Sequence, residues 1–362
     1  MSVTAQAGIV GFGPQKAKCV TWPDNIATTY YRHRATMVDL DVADDVREGP
    51  PEVGGIAVPT FPYKAGPVVA GGFTIQPRLE DTLGWLLYAL MGKHTAGGGY
   101  DYAAEVYTHT FTLAADSGQV PWMTMRKYIP KKDGGTGTDL GQQFEDCKLV
   151  GATLTLPNDG PLAMRLDAIG RHFTLVDSPL DTWSWGNTME SWESIPVACM
   201  VGGSIAIAGA PDLHVVAAQV GWQNVPLDLR QERVYGDPYL EDVTVIQRRL
   251  TFDLTVKYTD PELYRLVLGG NIAATSWSGH PFTGALDVVA VASTDMTQQT
   301  GIPYKLEITA PSVMLTQVGG ITLAGNQAIM LRFAGVALND ETGGDYADIT
   351  LTNEIPTYTW PT

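Results

Sequence analysis

The sequence predicts a mainly β protein: two tandem β-barrel or β-sandwich domains, each with one flanking α-helix and a long projecting loop. Three observations carry this: a length suited to two domains, three blocks that recur in one order, and short alternating apolar segments bounded by Gly and Pro. The chain has 362 residues, and ordinary domains hold about 100 to 200. Hydrophobic residues make up 44% and charged residues 17%, a globular composition able to fill a core in each half. The expected division is residues 1–180 for the first copy, 181–194 for a linker and 195–362 for the second copy.

The first block is an extended segment running into a short helix. GGFTI followed by LEDTLGWLLYALMG (79–92) answers to RLTFDLTV (249–256) followed by YTDPELYRLVLG (258–269). Leu83, Leu86, Leu87 and Leu90 fall at helical spacing, as do Leu263, Leu266 and Val267. A glycine closes each helix, and Asp260 with Pro261 forms an N-cap and N1 pair. In the second block, strands at 110–113 and 120–125 answer to 286–291 and 302–308. Each pair is joined by a polar, Gly-containing turn, and the second strand begins at a proline, where no ladder bond is lost. The third block sets KLVGATLTL (148–156) over VMLTQVGGI (313–321), and GPLAMRLDAIG (160–170) over GNQAIMLRFAG (325–335), as two-strand hairpins. Three collinear matches indicate duplication.

Ahead of the first block each copy has a strand and an irregular stretch. Residues 37–42 lead into 43–70, and residues 225–229 lead into 230–243. The first stretch holds Pro50, Pro51, Pro59, Pro62 and Pro67, which argues against a helix or a central strand and for a projecting arm. The second copy opens with alternating strands at 201–207 and 213–220, and the first copy opens less regularly over 8–31.

Charge and cysteine usage narrow the function classes. The net charge is −16, from 23 basic and 39 acidic side chains, which disfavours a phosphate-neutralising nucleic-acid surface. Cys19, Cys147 and Cys199 are widely spaced and odd in number, so buried thiols are expected, not zinc or disulfides. No apolar run is long enough to span a bilayer as a helix, and the first residues lack a signal-peptide pattern, so a cytosolic origin without membrane contact is expected.

Searches for chemistry end without a catalytic constellation. There is no phosphate loop, no helix-opening GxGxxG, no HExxH and no GxSxG. Gly97, Gly98 and Gly99 read as a connection. The six histidines form no i, i+2 or i, i+4 pair, and the acidic clusters Asp39/Asp41, Asp44/Asp45 and Asp340/Glu341/Asp345/Asp348 lack calcium-loop spacing. Trp183, Trp185 and Trp192 in the linker suit either packing onto a neighbouring domain or a sugar-stacking platform. No enzyme activity and no cofactor are expected.

The chain resembles the tail tube (major tail) proteins of long, non-contractile-tailed bacteriophages. The resemblance rests on GGFTIQPRLEDTLGWLLYALMG, the THTFTL and VPWMTMRKY pair, the CKLVGATLTL to GPLAMRLDAIGR hairpin and the second opening VGGSIAIAG. It implies a β barrel with a flanking helix that forms rings, usually hexameric, stacked into a hollow tube through which DNA passes without specific binding. It also implies a virion component assembled in the host cytoplasm beside tape measure, tail terminator and tail tip proteins. Two units per chain imply three chains per pseudo-hexameric ring. A long loop reaching the next ring corresponds to the two arms, which makes Asp44, Asp45, Arg47, Glu48, Val53, Ile56, Val58 and Phe61 contact candidates in the first copy. Arg230, Glu232, Arg233 and Tyr235 are the candidates in the second. Exposed ion pairs contribute about 0 to 1 kcal/mol each, so stacking strength rests on the apolar arm residues. Two other readings stay open: a terminator-like ring of a tail or secretion tube, and a two-domain carbohydrate-binding protein.

Overall fold

The structure, a computed structural model, describes the chain outside residues 1–7, 21–24, 50–60, 81, 100–105, 115–119, 132–137, 187–196, 211–212, 298, 320, 322–327, 340–345 and 362. The first copy comprises β1 (Ile9–Pro14), β2 (Tyr31–His33), β3 (Ala35–Val38), β4 (Asp41–Glu48), β5 (Pro62–Ile75), α1 (Leu83–Met91), β6 (Gly92–Gly99), β7 (Tyr107–Leu113), β8 (Met123–Ile129), β9 (Leu140–Pro157), β10 (Ala163–Gly170) and β11 (His172–Asp177). After the short α2 (Pro179–Thr182) come β12 (Ala198–Ile207), β13 (Val215–Pro226), β14 (Val245–Lys257), α3 (Glu262–Gly269), β15 (Phe282–Met296), β16 (Gln299–Gln317), β17 (Met330–Ala337) and β18 (Asp348–Asn353). The fold is mainly β, with every described strand pairing antiparallel.

Alternation of apolar and polar residues fixes which face of each strand is buried. In β10 and β17 every second residue is buried, so one face meets the core and the other does not. Each copy lays four strands side by side: β3/β4, β5, β10 and β9 in the first, β13, β14, β17 and β16 in the second. One rung of the first sheet runs Val38, Phe73, Leu166, Ala152. In the second sheet the rung through Gln317 runs Phe333, Leu254, Ala218, two residues out of step with the block alignment, in which Leu166 answers to Leu331. Both halves of the chain thus lay four antiparallel strands side by side. Val225 and Pro226, expected to open a strand like that at 37–42, instead close β13.

Both helices form where the leucine spacing places them. Leu83, Leu86, Leu87 and Leu90 are buried in α1, and Leu263, Leu266 and Val267 in α3. Gly92 closes α1 with φ 91°, while α3 ends one residue later than expected, at Gly270 with φ 78°. The start of α3 differs from the expected pair: Pro261 takes the N-cap place, and Asp260, one residue before it, accepts the Glu262 N–H at Oδ1 at 2.9 Å.

Two sequence expectations are corrected. Residues 41–48 and 62–75 are not an irregular arm: β4 and β5 pair from Asp41↔Ala70 to Glu48↔Pro62, and the Gly49 N–H still donates to the Phe61 carbonyl at 2.7 Å. The prolines misled because two of them tolerate strand geometry here. Pro62 is the first residue of β5, and Pro67 lies where β5 has β4 on one side and no strand partner on the other. Gly97 and Gly99 are likewise part of β6, which pairs with β7.

The two halves differ in how their longest strands are paired. The N-terminal half of β9 pairs with β8 and β11, and its C-terminal half pairs with β10 and β13. The change of sheet occurs at Asp146, which holds φ 50°, a left-handed conformation that Asp tolerates better than most residues. In the second copy β16 runs through the equivalent point unbroken, pairing first with β18 and then with β17. Consequently the 110–113 and 120–125 segments separate into different neighbourhoods, whereas β15 and β16 form a direct pair.

Two strand pairings join the halves of the chain, beside isolated bridges of Arg78 with Val197 and Pro161 with Cys199. Residues 151–157 of β9 pair with 217–223 of β13, and β18 lies between β16 and β7.

Candidate assembly interface

The features open to other molecules are strand edges, the polar sheet face and the arms. At the first arm, Asp44, Asp45, Arg47 and Glu48 lie in β4 and Phe61 immediately before β5. Val46, Phe61 and Tyr63 are exposed at the far end of this hairpin, and the two rings stand 6.3 Å apart. Val53, Ile56 and Val58 lie outside the described residues.

The second arm folds onto the first copy. Arg233 Nη2 donates to the Gly66 carbonyl at 3.2 Å, and Lys18 and Lys148 pair with Glu241 and Asp242 at 3.2 and 3.5 Å. Leu240 is fully buried, and its carbonyl accepts from Arg171 Nε at 2.6 Å. Glu232 is buried too, and its Oε1 accepts the Thr244 N–H at 3.3 Å. Arg230 is exposed beside Asp228, and Tyr235 stands fully exposed at the loop tip next to Gly236, which has φ 89°. The two arms thus meet at Gly66 and Arg233, a contact that no local sequence signal announces.

Beneath the second arm lies a buried polar cluster that sequence reading missed. Arg171 Nη1 donates to Asp146, whose other oxygen accepts from Gln15 Nε2 and from the Cys19 N–H. The neighbouring Glu145 is wholly buried, and its Oε1 accepts from Gln143 Nε2 at 2.9 Å. Burial, reinforced by the Asp146 charge, pushes the Glu145 carboxyl up to about 8. The sign follows. Folded protein holds this proton more tightly than unfolded protein, so stability from this group is full below the ordinary carboxylate range and is lost as pH rises towards 8. Glu145→Gln is expected to abolish that loss, a slope of about 1.4 kcal/mol per pH unit at most. Urea denaturation at pH 5 and pH 8 checks it, and equal slopes in both proteins would refute it.

On the sheet face turned away from the core two arginines are ion-paired. Arg165 binds Asp39 at 2.8 Å and Asp167 at 2.8 Å, and Arg332 binds Asp253 at 3.1 Å.

Trp183 and Trp185 pack on the first copy. Arg126 lies over the Trp183 ring at 4.8 Å and Arg32 over Trp185 at 5.2 Å, while Trp192 lies outside the described residues. His94 and His109 contact each other at 3.0 Å on β6 and β7, and burial lowers both pKa values, that of His94 to about 4. Among the described residues no group of His, Cys, Asp or Glu is arranged to hold a metal ion, and no helix is long and apolar enough to cross a membrane. Asp340, Glu341 and Asp345 lie outside the described residues. Cys19 and Cys147 are buried thiols and Cys199 is half-buried.

A family model described as phage tail tube protein matches residues 47–337. The chain belongs to the phage tail tube protein family. This tail tube protein is a structural component of a virion tail. No curated protein matches it. Among solved structures, a Pseudomonas aeruginosa FadL homologue aligns at 9% identity over 96% of this chain and 89% of that chain, with a TM-score of 0.10 that carries no argument about fold.

Proposed function

We propose that three copies of this tail tube protein close into a pseudo-hexameric ring. The rings stack into the hollow tube of a long, non-contractile tail, and DNA passes through it without specific binding. The observation that carries this reading is the β9–β13 seam, in which one four-strand sheet joins its quasi-equivalent partner edge to edge within the chain. A sheet that already extends itself once, with open edges at both ends, is built to continue into neighbouring copies. The ion pairs of Arg165 and Arg332 suit the lumen face, because unpaired basic side chains there bind phosphates tightly and in a salt-dependent way. Tape measure, tail terminator and tail tip proteins are the partners of such a tube, and assembly takes place in the host cytoplasm.

Stacking is assigned to the β4–β5 hairpin, whose exposed Val46, Phe61 and Tyr63 offer apolar surface at its far end. Electron microscopy of the purified protein tests both parts. Wild type is expected to form rings and tubes, and deletion of residues 46–62 is expected to leave folded chains that form rings without stacking. A particle that stays monomeric at every concentration would overturn the ring, and tubes formed by the deletion variant would remove the hairpin from the inter-ring contact.

A further inference from the structure

After β18 the chain crosses back over its first half. Residues 354–361 are neither helix nor strand, so individual contacts hold them in place. The Glu354 N–H donates to Glu80 Oε2 at 3.2 Å, and Trp360 Nε1 donates to the Gln15 carbonyl at 2.9 Å. The Trp360 ring lies 5.1 Å from Tyr88 and 6.1 Å from Trp85, both on α1.

Between these two ends the segment rests on a pair of histidines. His109 of β7 is fully buried, and its Nε2 stands 2.7 Å from the Ile355 carbonyl. A carbonyl only accepts, so Nε2 carries the proton and, in the neutral ring, Nδ1 is an acceptor. His94 of β6 is half-buried, and its Nε2 donates to that Nδ1 at 3.0 Å. One line of bonds therefore runs from His94 through His109 to the backbone of residue 355, and it assigns a tautomer to each ring.

This line has room for few protons. The first that arrives must go to His94 Nδ1 and places a charge in a half-buried site. The second must go to His109 Nδ1, which then no longer accepts from His94, and two cations would stand with ring centroids 5.2 Å apart. Burial lowers the proton affinity of both rings and the His109 charge lowers that of His94 further, while the backbone of Tyr358 offsets part of this. The groups facing the pair are aromatic: Tyr88 from α1 at 5.7 Å from His94, Phe111 from β7 at 5.0 Å, and Tyr358 at 4.8 Å from His109. From β18 Asn353 approaches His109. The nearby charged residues are Lys93, which precedes His94 and is exposed, and the carboxylates Glu80 and Glu354 at the start of the segment. Glu354 Oε2 accepts from the hydroxyls of Thr297 and Tyr304 at 2.6 and 2.8 Å.

We propose that residues 354–361 are an acid-released strap, held down by the His94–His109 pair at neutral pH and freed when that pair takes up protons. Lifting the strap takes Tyr358 with it. The Tyr358 hydroxyl is bonded to Asn353, the last residue of β18, so release loosens the pairing of β18 with β7 that joins the two halves. The device lies within one chain and does not depend on the proposed ring.

The sign is fixed by linkage. In the open strap both rings meet water and return to about 6.5, above their values in the closed one. Closure is therefore fully stabilised above that pH and is lost as pH falls through 6 and 5. Each histidine that takes up a proton on opening multiplies the opening equilibrium by about 25 between pH 7 and pH 5. Carboxylates ordinarily titrate lower, at about 4.

Amide hydrogen exchange on the full chain tests this, with rates converted to protection factors so that the intrinsic pH dependence of exchange cancels. Between pH 7 and pH 5 the amides of Ile355 and of residues 357–360 are expected to lose protection by about 25-fold if one histidine is protonated and about 600-fold if both are. Amides of β14 are expected to stay protected. His94→Gln keeps a donor for His109 Nδ1 and removes one proton site, and it is expected to reduce the fall to about 25-fold or less. Exchange of the imidazole C2 hydrogens in unmodified protein, followed by mass spectrometry, gives each ring its own titration and is expected to place His94 and His109 below 6.5. Strap protection equal at pH 7 and pH 5 would overturn the proposal, as would a parallel loss in β14, which marks global unfolding. Ordinary midpoints for both rings, or a fall in His94→Gln as steep as in wild type, would overturn the assignment to the histidines.

Discussion

Replacing Arg171 by alanine is expected to destabilise the protein by about 3 to 5 kcal/mol, the usual penalty for removing one partner of a buried ion pair. Arg171 is 5% exposed and Asp146 is wholly buried, so the carboxylate left behind has no water to replace the lost guanidinium. Gln15 Nε2 and the Cys19 N–H still donate to it, and they soften the loss without supplying a charge. The same substitution frees the Leu240 carbonyl and undocks the second arm from the first copy. The double variant Arg171→Met with Asp146→Asn removes both charges together and is expected to recover much of the stability. Urea denaturation measures both. A loss below about 1 kcal/mol for Arg171→Ala would mean that water reaches Asp146 and that the pair behaves as a surface one.

Much of the fold was legible because it is written in local patterns. Leucines at helical spacing, a glycine after each helix and alternation through GATLTL and AMRLDAIG specify elements that the structure contains. The β4–β5 hairpin was not legible, because five prolines in residues 43–70 count against a strand unless one knows which side of each proline lacks a partner. That is a property of the sheet, not of the segment. The seam was hidden for a related reason. Leu156 and Ile321 take matching places when KLVGATLTL is set over VMLTQVGGI, and only tertiary pairing makes one of them buried and the other open. The Asp146 cluster depends on Gln15, Cys19, Asp146 and Arg171 meeting from far apart in the chain, and no spacing rule anticipates it.

Tyr358→Ala is expected to cost about 3 to 5 kcal/mol and to open the second seam, as truncating a buried aromatic side chain does. The Tyr358 ring is 1% exposed and lies 4.8 Å from His109, 5.7 Å from Trp85 and 6.2 Å from Phe111, between α1 and the β6–β7 pair. Gly84 is a glycine because this ring sits against it: a Cβ there would stand 2.3 Å from Tyr358. The hydroxyl accepts from Asn353 Nδ2 at 2.8 Å, and Asn353 also donates to the Leu79 carbonyl at 3.1 Å. Asn353 is the last residue of β18, so Tyr358 pins the strand that bridges β16 of one copy to β7 of the other. Tyr358→Phe keeps the ring and loses one hydrogen bond, a change of about 1 kcal/mol. The alanine variant is expected to raise amide exchange in β7 and β16 together, and to aggregate through the two edges thereby released. Faster exchange confined to α1 would show that Tyr358 serves only the local core. Coupled exchange on both sides of β18 is what a clasp between the two copies requires, because no other described strand joins β16 to β7.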